Sequence, residues 1–279
     1  MMISKKVVRL IPSTHDEIQL HGLYLKHQLH DFGRTDQPFV YANFLSSIDG
    51  RIAVTEPETG LSSTPRCLTS HEDFRLFQEL QAQADCLITH GGYLRALASG
   101  QLGNILQIGH REDSKDLAEW RRLHGLAAQP DLVIASSSLD FTLPGSLAEH
   151  QQNVIIATAE NADHQRINLW RQRGYDITIA GKQMVNGDLL TDQLAQRGYK
   201  TIYLIAGPQM LATMIQNRKL QRLYLTVNNQ LLGGETFHTL IPGSIQHTNH
   251  QLNMIEHYYD TMSSNGHSQF YTCYEMSYA

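Results

Sequence analysis

The chain has 279 residues, of which 41% are hydrophobic and 18% are charged, and its formal net charge is −5. This length and composition suit a globular protein with one large α/β domain or two small ones around a sizeable core. A negative net charge without a long basic run argues against nucleic acid as the main partner.

Cysteine usage and hydropathy indicate where the protein works. Cys67, Cys86 and Cys273 are widely spaced and form no CxxC pair, and three cysteines make no even disulfide framework. No apolar run approaches the roughly 20 residues of a membrane span, and the N-terminal stretch lacks a signal-peptide core. We therefore expect a cytoplasmic protein that does not bind membranes.

The first predicted segment is an arm. Residues 1–37 show little periodicity and are predicted to be irregular, apart from a short helix over Leu20–Leu29, whose apolar residues fall on one face. The turn-rich stretch "DFGRTDQP" ends the arm. The main domain is therefore expected to span residues 38–279.

The first predicted strand, "FVYANFL" from Phe39, is interrupted by "SSIDG" and resumes at Arg51. Asp49-Gly50 is a strong turn dipeptide, so the break is explained by a solvent turn. It is also explained by one wall of a ligand cleft, with Asn43, Ser47 and Asp49 beside the ligand. A carboxylate in that place holds a donor-rich heterocycle or passes a proton.

A helix is predicted for "SHEDFRLFQELQAQA", with Ser70 as its N-cap and Asp73 three residues on. His71 begins this helix and is a candidate substrate-binding residue. The short apolar strand "DCLIT" follows and leads through His90 into the next helix. Both histidines begin helices near the expected cleft, and either has a structural interpretation as well.

Strands and helices alternate through the rest of the chain, and the tail offers two alternating stretches, 251–260 and 268–278, joined by "SSNG". Alternation predicts an α/β fold in which a mixed, mostly parallel sheet lies between helices. The tail predicts an antiparallel hairpin with Gly266 in its turn.

Three of the predicted strands end in residues that suit a nucleotide. Glycine at a strand end lets a ligand approach the backbone, and a helix start supplies N–H groups to phosphate. Serines can bond a ribose or a phosphate. Glycine at such corners also has a purely structural use. The candidate cofactor-binding residues are Gly91, Gly92, Ser136, Ala206, Gly207, Pro208 and Gln209.

Histidine is abundant, at 15 residues, but its spacing does not predict a metal site. His247, His250 and His257 lie close in sequence, and their gaps fit neither a helix face nor a known zinc spacing. No metal is therefore expected. The absence of a GxSxG elbow also argues against hydrolase chemistry.

Three blocks of the sequence together resemble a known family. They are "FVYANFLSSIDGRIA", "LTSHEDFRLFQELQAQADCLITHGGYLRAL" and "LLTDQLAQRGYKTIYLIAGPQMLATMIQNRKLQRLYLTVNNQLLGGE". In order and spacing they resemble the reductase domain of riboflavin biosynthesis, the C-terminal half of RibD. The resemblance runs from about residue 38 to residue 278.

This resemblance implies a dihydrofolate-reductase-like fold, a three-layer α/β/α arrangement, NADPH as cofactor and a homodimer. It implies an enzyme that reduces the ribosyl group of a phosphorylated aminopyrimidine, a small-molecule substrate, to a ribityl group, with hydride supplied by the cofactor. Carried over to this chain, Gly91, Gly92, Ser136, Gly207 and Pro208 would line the NADPH site. Asn43, Ser47 and Asp49 would face the nicotinamide or the substrate.

The chain also departs from the family pattern. The family often has arginine at the position of Gln81, threonine at Tyr93 and an acidic residue at Ile205, and Ala206 stands where it often has glycine. These departures leave a second hypothesis, a non-catalytic nucleotide- or ligand-binding member of the same fold.

Overall fold

The computed structural model describes residues 5–12, 16–55, 58, 62–243 and 250–278. Their contacts divide the chain into two compact units. The first consists of Met1–His27, Tyr41–Glu79 and Leu220–Ala279, and the second of Gln28–Val40 and Leu80–Lys219. Within the described residues, no helix is long and apolar enough to cross a membrane.

The first unit is built on a mixed sheet. Its strands, in chain order, are β1 (Lys6–Ile11), β2 (Glu17–Gln19), β3 (Phe39–Ser47), β11 (Arg222–Asn228), β13 (His250–Asp260) and β14 (Gln269–Tyr278). They lie in the order β2-β1-β13-β14-β11-β3. The described pairs are antiparallel except for β3 and β11, which run parallel. The predicted C-terminal hairpin is β13 with β14, and it is confirmed.

Smaller elements complete this unit. Helix α1 spans His71–Gln81, and its last two residues belong to the second unit. A separate three-stranded sheet has the order β12-β4-β5. Its strands are β4 (Ala53–Thr55), β5 (Ser62–Ser63) and β12 (Phe237–His238).

The predicted irregular arm is wrong, because Lys6–Ile11 forms β1 and Glu17–Gln19 forms β2, and β1 pairs with β13. The predicted helix over 20–29 is also wrong, since the structure has single 3-10 turns at Leu25–His27 and Leu29–Asp31. The physical reason is a distant partner. The buried Glu79 carboxylate accepts hydrogen bonds from the backbone N–H groups of Gly22 and Tyr24, at 2.6 and 2.9 Å. It holds that backbone in turns, and sequence periodicity does not report such a contact.

The second unit contains a fully parallel sheet in the order β10-β6-β7-β8-β9. Its strands are β6 (Cys86–His90), β7 (Asp131–Ala135), β8 (Val154–Thr158), β9 (Asp176–Ile179) and β10 (Thr201–Leu204). Its helices are α2 (Gly91–Ala98), α3 (Lys115–Leu123), α4 (Ser146–Glu149), α5 (His164–Gln172), α6 (Gly187–Gln196) and α7 (Pro208–Gln216). The strands are apolar and largely buried, as a parallel sheet covered by helices requires.

Candidate functional site

The predicted cofactor-binding residues all lie in the second unit, where the neighbouring strands β10, β6 and β7 end. Helix α2 begins at Gly91, directly after β6, and α7 begins at Pro208, with three residues between it and the end of β10. Ligands of parallel α/β sheets bind outside the carboxyl ends of the strands. The structure therefore brings Gly91, Gly207 and Ser136 to one edge of the sheet.

The starts of α2 and α7 have no capping side chain. Their N-cap residues, His90 and Gly207, make no side-chain cap hydrogen bond. By contrast, Asp163 caps α5 and Asn186 caps α6 through backbone N–H groups. Helices α3 and α4 are uncapped too, but neither begins at a strand end. Uncapped N–H groups at the start of a helix favour an anion such as phosphate.

Gly91 and Gly92 are needed for packing inside the protein. A Cβ atom on Gly91 would lie 2.8 Å from Oγ of Ser136, and one on Gly92 would lie 2.8 Å from Nδ1 of His90. Ser136 is buried, and its Oγ accepts a hydrogen bond from the N–H of Leu139 at 3.0 Å. Close packing therefore explains both glycines, and the N–H groups of α2 remain the part of this corner that suits an anion.

At the start of α7 there is more space. A Cβ atom on Gly207 would meet only Nε2 of His90, at 3.7 Å, an ordinary contact. Ala206 is buried, so its methyl group lies inside the protein, whereas Gln209 is exposed. Pro208 occupies the first helical position, where its missing N–H costs nothing.

The predicted substrate-binding residues and Asp49 lie in the first unit. Asn43 and Ser47 are four residues apart on β3, so they share one face of the strand, about 13 Å apart along it. Asn43 is half-buried beside Tyr224 of β11, and Ser47 is buried beside Asn228. His71 is exposed at the start of α1, and its backbone N–H donates to Oγ of Ser264 at 2.8 Å.

Asp49 is a fully engaged carboxylate. It accepts hydrogen bonds from the hydroxyl of Ser47 and from the N–H groups of Leu232 and Gly233, at 3.2 and 2.9 Å. Arg51 lies 3.2 Å from it. The Ser47 hydroxyl, followed by the Gly233 N–H, lowers the pKa of Asp49 to about 2. Of the two roles that the sequence left open, this ionised group suits a hydrogen-bond acceptor and does not suit a proton donor.

The same contacts show what the turn at Asp49-Gly50 does. Gly50 has a φ of +83°, a left-handed conformation that favours glycine. Nε of Arg51 donates to the carbonyl of Gly233 at 3.0 Å, and its guanidinium lies 4.2 Å from the centre of the Phe237 ring. The turn is thus anchored to the segment after β11. Sequence reasoning missed Arg51 and Gly233, although "DGR" and "LGGE" gave a charge and a glycine pair as signals.

Two departures from the family pattern have structural partners in common. The Tyr93 hydroxyl donates to the carbonyl of Gly103 and accepts from the N–H of Ile105, both at 3.0 Å. Nε2 of Gln81 donates to the carbonyls of Ile105 and Leu106, both at 3.1 Å. Both side chains hold the segment Gly103–Leu106, so the two replacements act on the same part of the structure.

Two basic residues that the sequence did not single out lie at the loop after β7. Nη1 of Arg166 donates to the carbonyl of Ser138, and Nη1 of Arg95 donates to the carbonyl of Asp140, both at 2.9 Å. Ser137 and Ser138 are exposed in this loop. The loop therefore combines exposed hydroxyl groups with guanidinium groups.

Metal ligands are not grouped anywhere in the part of the chain that the structure describes. His257 bonds to Oγ1 of Thr272 at 2.9 Å and stacks on Phe270. His250 packs edge-on against Tyr278, and His247 lies outside the described residues. The described histidines of the tail thus have structural contacts.

The second unit also has a cleft of about 390 Å³ between α3 and the loops around it. None of the predicted site residues lines this cleft. His110 and His150 face each other there, with ring centres 5.6 Å apart. The strand ends identify the candidate site better than the size of this cleft does, because they join uncapped helix starts with glycine.

Comparisons with known proteins agree with this geometry. Residues 38–263 match the model of the RibD C-terminal domain. A 2,5-diamino-6-ribosylamino-4(3H)-pyrimidinone 5′-phosphate reductase from Aquifex aeolicus is 21% identical over 210 residues, which are 75% of this chain and 84% of the relative.

Solved structures give the same fold. A pyrimidine reductase-like protein from Corynebacterium diphtheriae has a TM-score of 0.64 at 18% identity, covering 88% of this chain and 94% of its own. RibD from Acinetobacter baumannii has a TM-score of 0.56 at 16% identity, covering 87% of this chain and 59% of its own. The predicted fold class, an α/β protein with a mixed sheet and a C-terminal hairpin, is confirmed.

Proposed function

The chain belongs to the RibD C-terminal domain family, and from this premise we propose that it is an NADPH-dependent reductase of a phosphoribosylaminopyrimidine or a related heterocycle. The observation that carries the proposal is the pair of uncapped helix starts at Gly91 and Gly207, on the carboxyl ends of neighbouring parallel strands. Such starts suit the diphosphate of a dinucleotide.

The residues of the second unit suit the cofactor. We assign the diphosphate to the starts of α2 and α7, with Gly91, Gly92, Ala206, Gly207, Pro208 and Gln209 as the surrounding residues. Ser136 holds the loop that follows β7 through Leu139. When bound, the cofactor would supply hydride to the substrate, and the protein's part is to bind and orient both.

Arg95 and Arg166 support NADPH over NADH. Discrimination in favour of the 2′-phosphate requires a basic group near the adenosine ribose. Both guanidinium groups reach the loop after β7, where Ser137 and Ser138 expose their hydroxyls. The carboxylates of Asp140 and Asp163, 3.5 and 3.9 Å from Arg166, hold that guanidinium in place.

In the first unit, we propose that Asn43 and Ser47 bind the substrate, as the resemblance implies. We propose the same role for His71, which is exposed at the start of α1. Asp49 is the proposed catalytic residue, acting as a fixed negative charge and acceptor, because its pKa of about 2 keeps it ionised. Through Ser47 and Gly233 it also fixes the turn that carries it.

The proposal is tested by titrating the purified protein with NADPH while following cofactor fluorescence. NADPH oxidation is then measured with 5-amino-6-(5-phosphoribosylamino)uracil and with its 2,5-diaminopyrimidinone counterpart. Binding and oxidation with either compound are expected. No binding at submillimolar NADPH would contradict the proposal, and binding without oxidation of either compound would support the non-catalytic alternative.

We also propose a homodimer that uses the edge of β13. Among the described residues, β1 pairs with β13 only at His257–Tyr259, so the stretch before them has β14 on one side and no described strand on the other. Leu252 and Met254 are 50% and 41% exposed there. An exposed apolar edge favours pairing with another copy. Light scattering at micromolar concentration should give the mass of a dimer, and Leu252→Lys with Met254→Lys should give a monomer.

A further inference from the structure

His90 occupies an unusual position between the starts of two helices. It is the last residue of β6, and α2 follows it without a loop. Its ring lies against the backbone of both helix starts. Nδ1 is 2.8 Å from the place of a Cβ on Gly92, and Nε2 is 3.7 Å from the place of a Cβ on Gly207. Gly92 therefore makes room for the imidazole, and Gly207 lies close to its other nitrogen, at the point where the cofactor's diphosphate is proposed to bind.

The surroundings of this imidazole oppose a positive charge. Both helix starts present the positive ends of their dipoles. Arg95 of α2 is the charged side chain that acts on the ring, and the first turn of α7, Pro208-Gln209-Met210, carries no charge. The end of β7 contributes Ala135 and Ser136, which are neutral as well. Burial, followed by Arg95, lowers the pKa of His90.

Both ring nitrogens also have unused hydrogen-bonding capacity, because neither has a partner among the residues that the structure describes. The imidazole is half-buried, its ring nitrogens have no partner, and the charged side chain that acts on it is positive. A bound anion would therefore stabilise its protonated form. An anion there supplies an acceptor for each N–H of the ring and offsets the positive potential of the helix starts and Arg95.

We propose that His90 is a proton-linked anchor for the cofactor's diphosphate, so that NADPH binds together with a proton that the imidazole takes up. This inference rests on the proposed function, since it needs a dinucleotide at the starts of α2 and α7. His90 is a positioning residue for the cofactor and takes no part in hydride transfer.

The proposal fixes how affinity depends on pH. A ligand that binds the protonated form better raises the pKa of the group, so proton uptake and affinity are linked. The dissociation constant of NADPH should rise with pH between the pKa values of the free and bound states. Linkage of one proton sets a limit of about tenfold per pH unit.

Isothermal titration calorimetry with NADPH at several pH values, in buffers of different ionisation enthalpy, measures the proton uptake directly. The wild-type protein should take up a substantial fraction of one proton near neutral pH. His90→Gln keeps a polar side chain that cannot titrate, so it should abolish the uptake and flatten the pH dependence. His110→Gln is the matched control, because its imidazole also has a lowered pKa but lies in the separate cleft.

The outcomes separate the two proposals. Absence of NADPH binding to the wild type overturns the proposed function. NADPH binding without proton uptake by the wild type overturns the role of His90 and leaves the function standing. This second result needs no variant, so the test holds even if His90→Gln does not fold. Equal uptake by wild type and a folded His90→Gln variant overturns the role of His90 as well.

Discussion

The two regions that carry the predicted site residues treat their polar groups in opposite ways. In the first unit, the Asp49 carboxylate is occupied by the Ser47 hydroxyl, two backbone N–H groups and Arg51. In the second unit, two helices start without caps and His90 has open ring nitrogens. A polar group that is paired within the fold is thus fixed in position and charge, whereas an unpaired one can still gain a hydrogen bond from a ligand.

The largest expected effect on stability comes from a carboxyl group in the first unit that, unlike Asp49, is buried with one oxygen unpaired. Asp73 on α1 is buried, and its Oδ1 has no hydrogen-bond partner. Burial raises its pKa to about 6, against a lowering by the Thr226 hydroxyl. Because the folded-state pKa lies above the unfolded value, folding takes up a proton between about pH 4 and 6. Stability is therefore lost as the pH rises through that window.

Asp73→Asn removes this cost and should stabilise the protein by about 2–3 kcal/mol at pH 7.5, with no gain near pH 3.5. Urea unfolding at both pH values measures the difference. The control is Glu160→Gln, the corresponding amide substitution at an exposed carboxyl, which should change stability little at either pH. A gain from Asp73→Asn that is equal at both pH values would show that charge is not the cause.

The packing at the start of α2 offers the next largest effect. Gly91→Ala would put a methyl group 2.8 Å from Oγ of Ser136 and 3.1 Å from the Phe141 ring. The resulting shift should cost roughly 1–3 kcal/mol of stability and weaken NADPH binding at the same corner. Gly103→Ala is the control, since a Cβ there meets nothing within 4 Å. Equal thermal unfolding midpoints for the two variants would contradict the packing explanation.

The replacement at Tyr93 gives a smaller effect. Tyr93→Phe removes two hydrogen bonds to the segment Gly103–Leu106 and should cost about 1–2 kcal/mol. Tyr175→Phe is matched, since its hydroxyl has no hydrogen bond among the described residues. A double-mutant cycle of Tyr93→Phe with Gln81→Met should be non-additive, because both side chains hold the same segment. Strict additivity would mean that the two replacements act independently.

The most local effect concerns the paired Asp49 carboxylate of the first unit. Asp49→Ala leaves the N–H groups of Leu232 and Gly233 without an acceptor, so their amide hydrogen exchange should accelerate by roughly tenfold. Asp49→Asn keeps an acceptor and should accelerate them less. Unchanged exchange in both variants would show that the carboxylate does not hold this segment.

Local patterns predicted much of the fold because local chemistry decides it. The alternation around Gly266 gave the C-terminal hairpin, and the glycine and proline signals gave the start of α7. The strands of the arm were missed because β1 pairs with the distant strand β13. A helix was wrongly predicted after them because the backbone at Gly22 and Tyr24 bonds to Glu79, which lies more than fifty residues away in sequence. No periodicity within residues 1–37 could report that contact.

The candidate site was predictable only in outline, because its residues also contact partners that are distant in sequence. Strand ends and glycines located the corner at Gly91, but its glycine is explained by the Ser136 side chain, which arrives from another strand. Asp49 stood out in sequence, whereas its partners Leu232 and Gly233 lie about 180 residues on. Residue type therefore identified candidate residues, whereas their internal partners became known only from the fold.

The pairing of β1 with β13 shows that the sheet extends beyond the residues that match the family model. The family match begins at residue 38, yet the sheet of the first unit includes β1 (Lys6–Ile11) and β2 (Glu17–Gln19). A protein that began at residue 38 would leave β13 without β1 at His257–Tyr259, lengthening the edge that is open to self-association. The N-terminal strand β1 thus covers part of the β13 edge and leaves a shorter stretch of it without a described neighbour.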